Sequence, residues 1–413
     1  MWGDIAIAFT IAFVTSFMAT PYTIKIAKKL GAVDTPKDQR RINKITMPRL
    51  GGLAVILGFV VSVAYLLIVM SIEKNINLSV DNMYIKLIGF FIGDLIIGLT
   101  CFYDDVKGAK ALVKLLAQIV AAVIVVRCGI RIDRIDVAFI DNLFPEWAYT
   151  VITICWIVGI TNALNLIDGL DGLSTGISII SCISLLMIFS LNGSPLISII
   201  LITALCGSLV GFLPYNFNPA KTFIGDTGSN FLGYSLAIIS ILGVAKTYTA
   251  IVIVAPLIVL ALPLFDTVFA IFRRLKNGKS LKAIIQPDAG HLHHKMLKKG
   301  FTQKQAVLIL YGASAILGMF AIILFESGIW KAISFLLMVV AAVALGYRNF
   351  VNEKQEDNSE TKYECTVCKY IYNPKYGNEK AGIHPKTPFS ELPNDWVCPV
   401  CGERKDVFQK YNK

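Results

Sequence analysis

The stretch Asn162-Ala-Leu-Asn165-Leu-Ile-Asp168-Gly-Leu-Asp171-Gly-Leu173 sets two amides and two carboxylates between long apolar runs. Polar groups in such a place are costly unless they are used or paired. Asp168 and Asp171 would share a face of a helix. Four residues spaced by three would nevertheless fan around the axis, because each step falls short of a full turn. Gly169 and Gly172 let the backbone turn, so that the four polar groups can converge. Convergent carboxylates and amides suit a metal ion or a phosphate, whereas a plain polar turn needs only one or two such residues.

Four further stretches carry related chemistry. In Phe223-Ile-Gly-Asp226-Thr-Gly-Ser-Asn230, glycines permit close backbone approach and Ser229 or Asp226 can cap a following helix. A helix N-terminus offers free N–H groups to a phosphate. Magnesium takes one or two protein oxygens and leaves the rest to phosphates and water, which Asp226 with Asn165 or Asp168 would supply. The pair Asp104-Asp105 offers a base and a cation ligand, although a solvated helix end ahead of Lys107 and Lys110 explains it as well. Lys44 and Arg49, beside Pro48, Gly51 and Gly52, can hold phosphate or simply flank a span. Among His291, His293 and His294, the first and last would share a helix face and His293 would diverge. With no third zinc ligand on that face, contact with a nucleotide or pyrophosphate, helped by Lys295 and Arg273, is the better reading.

The elements that must position these groups are membrane spans. The chain has 413 residues, 55% of them hydrophobic and only 16% charged, with a mean hydropathy of +0.65. Apolar runs recur along most of it, which predicts an all-α polytopic membrane protein of about 11 transmembrane helices with its N-terminus outside. The runs lie near 5–24, 51–70, 84–102, 112–128, 149–164, 172–190, 196–213, 230–244, 249–272, 305–324 and 329–347. The ninth contains Pro256 and Pro263. The net charge is +11, and most of the bases outside the C-terminal tail follow odd-numbered spans. That places those loops and the tail in the cytoplasm, and the bases then require no nucleic acid as partner. The four stretches that carry carboxylates or histidines, Asp104-Asp105, Asn165–Asp171, Gly225–Gly228 and His291–His294, all follow odd spans, so one cytoplasmic face of the cell membrane collects them.

In this order and spacing, DD at 104–105, NALNLIDGLDGL at 162–173, FIGDTGS at 223–229 and HLHH at 291–294 resemble the polyprenyl-phosphate N-acetylhexosamine-1-phosphate transferase family. PRLGG at 48–52 and the sequence from Pro263 through Asp266 to Arg274 are similar to it as well, and the resemblance covers essentially residues 1–347. It implies a magnesium enzyme, with manganese as substitute, that moves a sugar 1-phosphate from a UDP-sugar to undecaprenyl phosphate and releases UMP. PRLGG and HLHH resemble the branch that uses UDP-GlcNAc at the first membrane step of cell-envelope polysaccharide or teichoic acid synthesis. The UDP-MurNAc-pentapeptide branch of peptidoglycan synthesis shows three adjacent histidines, broken here by Leu292. Asn43 departs from the GlcNAc branch, which often has histidine there. Carried over by position, the resemblance makes Asn165 and Asp226 magnesium contacts and sets Asp104 and Asp105 near the attacking lipid phosphate. It makes Asp168 and Asp171 catalytic or uridine-side contacts and the three histidines nucleotide-sugar or pyrophosphate contacts; Lys44 and Arg49 join the substrate contacts as bases able to hold phosphate. The competing class is an ion-coupled transporter, but transporters hold such groups near the midplane. A CDP-alcohol phosphotransferase would want Asp-Gly followed by Ala-Arg, which is missing here.

Residues 349–361 are polar and aperiodic, which reads as a linker between a membrane domain (1–348) and a C-terminal domain (362–413). Cys365-Thr-Val-Cys368 and Cys398-Pro-Val-Cys401 form a tetrahedral thiolate site for iron or zinc. The cysteines with Tyr370, Tyr372, Phe389 and Trp396 resemble rubredoxin, which implies iron, one-electron transfer and a redox partner protein. A structural zinc ribbon is the alternative. The assembly to look for is a homodimer.

Overall fold

A computed structural model describes residues 2–35, 46–73, 82–132, 145–244, 250–278, 290–378, 381–385, 387–393 and 395–411. A bilayer offers backbone N–H and C=O groups no partner outside their own segment, so long apolar runs become helices. In chain order these begin with α1 (Trp2–Leu30), α2 (Gly52–Ile72), α3 (Met83–Lys107), α4 (Ala111–Arg127) and α5 (Glu146–Ile167). There follow α6 (Leu173–Asn192), α7 (Leu196–Asn216), α8 (Gly225–Val244), α9 (Ala250–Val259) and α10 (Ala261–Gly278). The short α11 (Leu292–Lys298), α12 (Gln303–Ser327) and α13 (Ile329–Glu360) complete the series.

Among the described residues, seven helices are long and apolar enough to cross a membrane: α1, α2, α3, α5, α6, α7 and α12. The chain is a mostly helical, multi-pass membrane protein. The ninth run is two helices, α9 and α10, which break at Leu260. Pro256 and Pro263 bracket that break, and each removes a backbone donor that an unbroken helix would use.

The innermost element is α7, which packs on α1, α2 and α6, while α8 packs on α3 and α5. Gly207 and Gly211, one turn apart on α7, lie so near α1 that a side chain at either would strike the backbone of Phe9 or Phe13. Small residues at this spacing let two spans approach closely where no hydrophobic effect drives them together. Up-and-down threading then sets the C-terminal ends of α1, α3, α5 and α7 beside the N-terminal ends of α2, α4, α6 and α8.

Backbone pairing seals that face. A two-residue ribbon, β1 (Val33–Asp34) and β2 (Met47–Pro48), pairs antiparallel. From β2 the chain runs along the segment before α8: Phe223 N donates to Pro48 O (2.8 Å), Gly51 N to Phe223 O (3.0 Å) and Gly52 N to Ile224 O (2.8 Å). A side chain on Gly52 would run into the backbone of Gly228. Gly52→Val is therefore expected to cost about 3 kcal/mol or more, the upper end of overpacking. The readout is a thermal shift in detergent, and a melting temperature unchanged from wild type would show that α2 and α8 do not meet as described.

Residues Ser334–Lys413 form a second compact unit. In it α13 continues as helix to Glu360 and so takes in most of the segment read as a linker. A three-stranded sheet follows, in the order β4 (Ile371–Tyr372), β3 (Tyr363–Cys365), β5 (Phe408–Lys410). Tyr372, Phe389, Trp396 and Phe408 are buried together with Cys365 and Cys398.

Candidate active site

The site starts from a carboxylate that caps a neighbouring helix. Asp105, near the end of α3, is buried. Its Oδ1 accepts from Asp226 N (3.0 Å) and its Oδ2 from Thr227 N (2.8 Å) and Thr227 Oγ1 (2.6 Å). These are the first N–H groups of α8, which have no partner within their own helix. Gly225, at φ +73°, makes the entry possible, since a side chain there would strike Arg49 O and Asp105 Oδ2. An Arg49 guanidinium nitrogen lies 3.5 Å from Asp105 Oδ1 and 3.8 Å from Asp226 Oδ2.

Capping by Asp105 leaves the Asp226 side chain to face the cluster. Its Oδ1 accepts from Asn165 Nδ2 (2.7 Å) and its Oδ2 from Lys114 Nζ (2.9 Å). Lys114 Nζ lies 2.8 Å from Asp104 Oδ2 as well, and Asp104 Oδ1 accepts from Ala109 N at 2.5 Å. Asn165 donates to Ser229 Oγ too (2.9 Å). Four elements (α3, α4, α5 and α8) thus meet around one cation-attracting point.

The four polar residues of the opening stretch do not converge, contrary to the expectation above. α5 runs to Ile167, so Asn162 and Asn165 fan apart as helix geometry requires. Asn162 Nδ2 donates to Gln118 Oε1 (2.6 Å), and Gln118 Nε2 donates in turn to Asn230 Oδ1 (2.8 Å). Asp171 is buried in the turn, where its Oδ2 accepts from Asn218 Nδ2 (2.9 Å) and Ala220 N (3.1 Å) and ties the turn to the α7–α8 loop.

Asp168, just beyond α5, accepts from Ser174 Oγ at 2.6 Å. Burial pushes its carboxyl up to about 7, with Asp226 and Asp105 adding to the shift against Ser174 and Arg49. The folded protein then holds a proton that the unfolded chain has lost above its ordinary value of 3.8. Stability falls as pH rises through that window. Melting curves of wild type and Asp168→Asn between pH 5 and 8 are expected to diverge, wild type losing ground toward pH 8. Parallel curves would place this carboxyl in the ordinary range.

The histidine segment closes onto the same turn. His291 Nδ1 lies 2.8 Å from Asp266 Oδ2, and Leu292 N donates to Asp266 Oδ1 (2.9 Å), which fixes the start of α11. His293, expected to diverge, is the ring that packs on Gly169, where any side chain would overlap it. It is buried between His291 and His294, with ring centroids 5.8 and 4.3 Å away. Burial lowers its pKa to about 4, aided by the two neighbouring rings, so at neutral pH it is an uncharged donor and acceptor.

The structure therefore joins Arg49, Asp104, Asp105, Asn165 and Asp226 in one cluster, sets Asp168, His291, His293 and His294 beside it, and turns Asp171 into the fold. Lys44 and Asn43 lie outside the described residues. Sequence reasoning missed Lys114, Thr227 and Gln118, and it had Asp266 only through the resemblance. Lys114 and Gln118 are one turn apart within an apolar helix, and that spacing was the available signal.

In the C-terminal unit, the sulfurs of Cys365, Cys368, Cys398 and Cys401 lie within 4.8 Å of one another. Cys365–Cys401 is 3.7 Å and Cys368–Cys398 is 3.5 Å. Tetrahedral ligation at about 2.3 Å per sulfur needs separations of about 3.8 Å. The site suits iron or a similar metal.

Comparison with known proteins agrees with both parts. The glycosyl transferase family 4 signature matches residues 87–244, and the rubredoxin signature matches 362–408. The chain is 38% identical over 353 residues to the probable undecaprenyl-phosphate N-acetylglucosaminyl 1-phosphate transferase of Bacillus subtilis, covering 85% of this chain and 94% of that protein. It is 32% identical over 327 residues to the decaprenyl-phosphate N-acetylglucosaminephosphotransferase of Mycobacterium tuberculosis, covering 74% of this chain and 78% of that one. Its C-terminal part is 53% identical over 49 residues to the high molecular weight rubredoxin of Moorella thermoacetica, covering 12% of this chain and 21% of that protein.

Proposed function

The chain belongs to glycosyl transferase family 4 and carries a C-terminal rubredoxin domain, and from that premise we propose that it transfers N-acetylglucosamine 1-phosphate from UDP-N-acetylglucosamine to undecaprenyl phosphate, releasing UMP. The observation that carries this reading is the Lys114 ammonium between Asp104 and Asp226, at 2.8 and 2.9 Å. Hard carboxylate oxygens that converge on one cation are the donor set magnesium takes beside substrate phosphates.

Asp226 and Asn165 are the proposed magnesium contacts. With its NH2 group engaged by Asp226 and Ser229, Asn165 has its amide oxygen to offer. Magnesium, when bound, supplies charge neutralisation at the diphosphate and eases departure of UMP. The protein's own groups do the rest. A lipid phosphate oxygen forms a bond to the sugar-bearing phosphorus, the bond from that phosphorus to the bridging oxygen breaks, and the bridging oxygen leaves with UMP. Arg49 and Lys114 hold anionic oxygens in place.

Asp105, with both oxygens taken by α8 and Arg49, acts by positioning Asp226. Asp104, held by Ala109 N at one oxygen and by the mobile Lys114 ammonium at the other, orients the lipid phosphate. Asp168 can hold or release a proton near neutral pH. His291, His293 and His294 contact the nucleotide sugar, while Asp171 acts through the α7–α8 loop it holds. The site faces the cytoplasm in a topology of about 11 spans with the N-terminus outside, supported by the bases on odd loops. The domain limits 1–348 and 362–413, iron rather than zinc, and a redox partner belong to the same reading.

Purified protein with magnesium, undecaprenyl phosphate and a panel of UDP-sugars is expected to release UMP with UDP-N-acetylglucosamine, and only when lipid is present. Folded protein that releases no UMP from any sugar would overturn the reading. Covalent sugar phosphate on an aspartate, accumulating without lipid, would replace direct attack by a two-step route.

A further inference from the structure

We propose that Asp94 and the cavity it lines form a binding site for a lipophilic amine, with the ammonium on the carboxylate and the apolar tail in the cavity. The site is separate from the transfer reaction above. Asp94 stands near the middle of α3, about 16 Å along the helix from Asp105. It is 6% exposed, and its Oδ1 is buried with no hydrogen-bond partner among the described residues. Tyr234, whose hydroxyl a side chain on Gly93 would strike, spends its hydroxyl hydrogen on Phe90 O (3.1 Å). A carboxyl at such depth is costly unless a cation or a hydrogen-bond donor meets it. No basic side chain is among the residues that line the cavity, so its walls supply no counter-charge.

The cavity sets the shape of a ligand and the carboxyl sets its charge. Its volume of about 510 Å³ lies within the range of about 300 to 1,000 Å³ usual for small-molecule sites. Its walls are apolar apart from Asp94 and Thr227. Thr227 gives both its N–H and its hydroxyl hydrogen to Asp105, which leaves Asp94 as the polar group open to a ligand. Gly98 lies one turn beyond Asp94 on the same helix face. A Cβ at Gly98 would meet nothing within 4 Å, so there is open space beside the carboxyl. Leu95 and Leu99 are more than half exposed, so a ligand dissolved in the bilayer can enter sideways. A carboxylate repels an anionic head and gains no counter-charge from a neutral one. A metal ion would need further oxygen ligands that these walls lack. An ammonium brings both charge and N–H donors, and a low-dielectric wall strengthens the pair.

The test uses the full-length protein in lipid nanodiscs and a dodecylamine with a photoactivatable diazirine in its chain. Label is expected on peptides between Phe91 and Phe102. Excess dodecylamine should cut that labelling about tenfold, and dodecanol, with the same tail and no charge, should leave it within about twofold. Asp94→Asn removes the charge and Gly98→Leu fills the space, and each should abolish the labelling that dodecylamine competes. Asp94→Asn should also melt at or above the wild-type temperature, because no protein group loses a partner, and should release UMP within about twofold of wild type. Labelling that dodecanol competes equally, or that persists in a folded Asp94→Asn, overturns the site. A lower melting temperature for Asp94→Asn would reveal a partner within the fold and overturn it too. A folded Asp94→Asn without UMP release would move Asp94 into the transfer reaction and overturn a separate site. If neither variant folds, the competition between dodecylamine and dodecanol on the wild type decides.

Discussion

Asp226→Asn is expected to lower kcat for UMP release by about 10³-fold, or about 4 kcal/mol of transition-state stabilisation, while the protein stays folded. The substitution keeps the side chain's shape and removes its charge. Lys114 and Arg49 then lose a carboxylate they share, and the proposed magnesium contact is lost with it. The entry to α8 should survive, because Asp105 bonds the backbone N–H of Asp226 and not its side chain. Asp105→Asn is the counterpart that separates chemistry from support. It replaces an acceptor for the backbone N–H groups of Asp226 and Thr227 with a mixed amide, so melting temperature and activity should fall together. Steady-state kinetics beside thermal shifts of both variants decide the matter. An Asp226→Asn enzyme within tenfold of wild type would remove Asp226 from the metal site.

The common face of the motifs was legible because membrane threading is a parity rule. A span must cross, so loops after odd spans share a side whatever the helices do in between. The pairing of Pro48–Gly52 with Phe223–Ile224 was half legible: paired glycines announced a close approach without naming the neighbour. The fate of Asn162–Asp171 was not legible, because it hung on where α5 stops. α5 runs three residues past the expected end of its span, to Ile167, and its helical geometry carries Asn162 toward Gln118 and Asn165 toward Asp226. Lys114 was hidden for a different reason. A base at the start of an apolar helix reads as span-flanking charge, and only its distance from two carboxylates distinguishes it. The capping role of Asp105 belongs to the same class, since capping across elements leaves no local pattern.

Removal of metal from the four-cysteine site is expected to unfold residues 362–411 and to leave UMP release within about twofold. The strands there are two or three residues long, too short for a sheet that stands alone. The buried cluster of Tyr372, Ile383, Phe389, Leu392, Trp396 and Phe408 is small, and so few residues bury little without a staple. Metal ligation supplies that staple; in small thiolate domains it is worth about 10 kcal/mol or more, comparable to a whole domain's stability. Cys398→Ser should therefore lose metal, lose the absorption that marks iron rather than zinc, and expose the segment to protease. Every residue assigned to the transfer reaction lies within Met1–Ile333, so catalysis draws no side chain from this unit. A protease-resistant Cys398→Ser segment would show that aromatic packing alone carries the fold. A tenfold fall in UMP release on metal loss would instead give the thiolate centre control over the transferase.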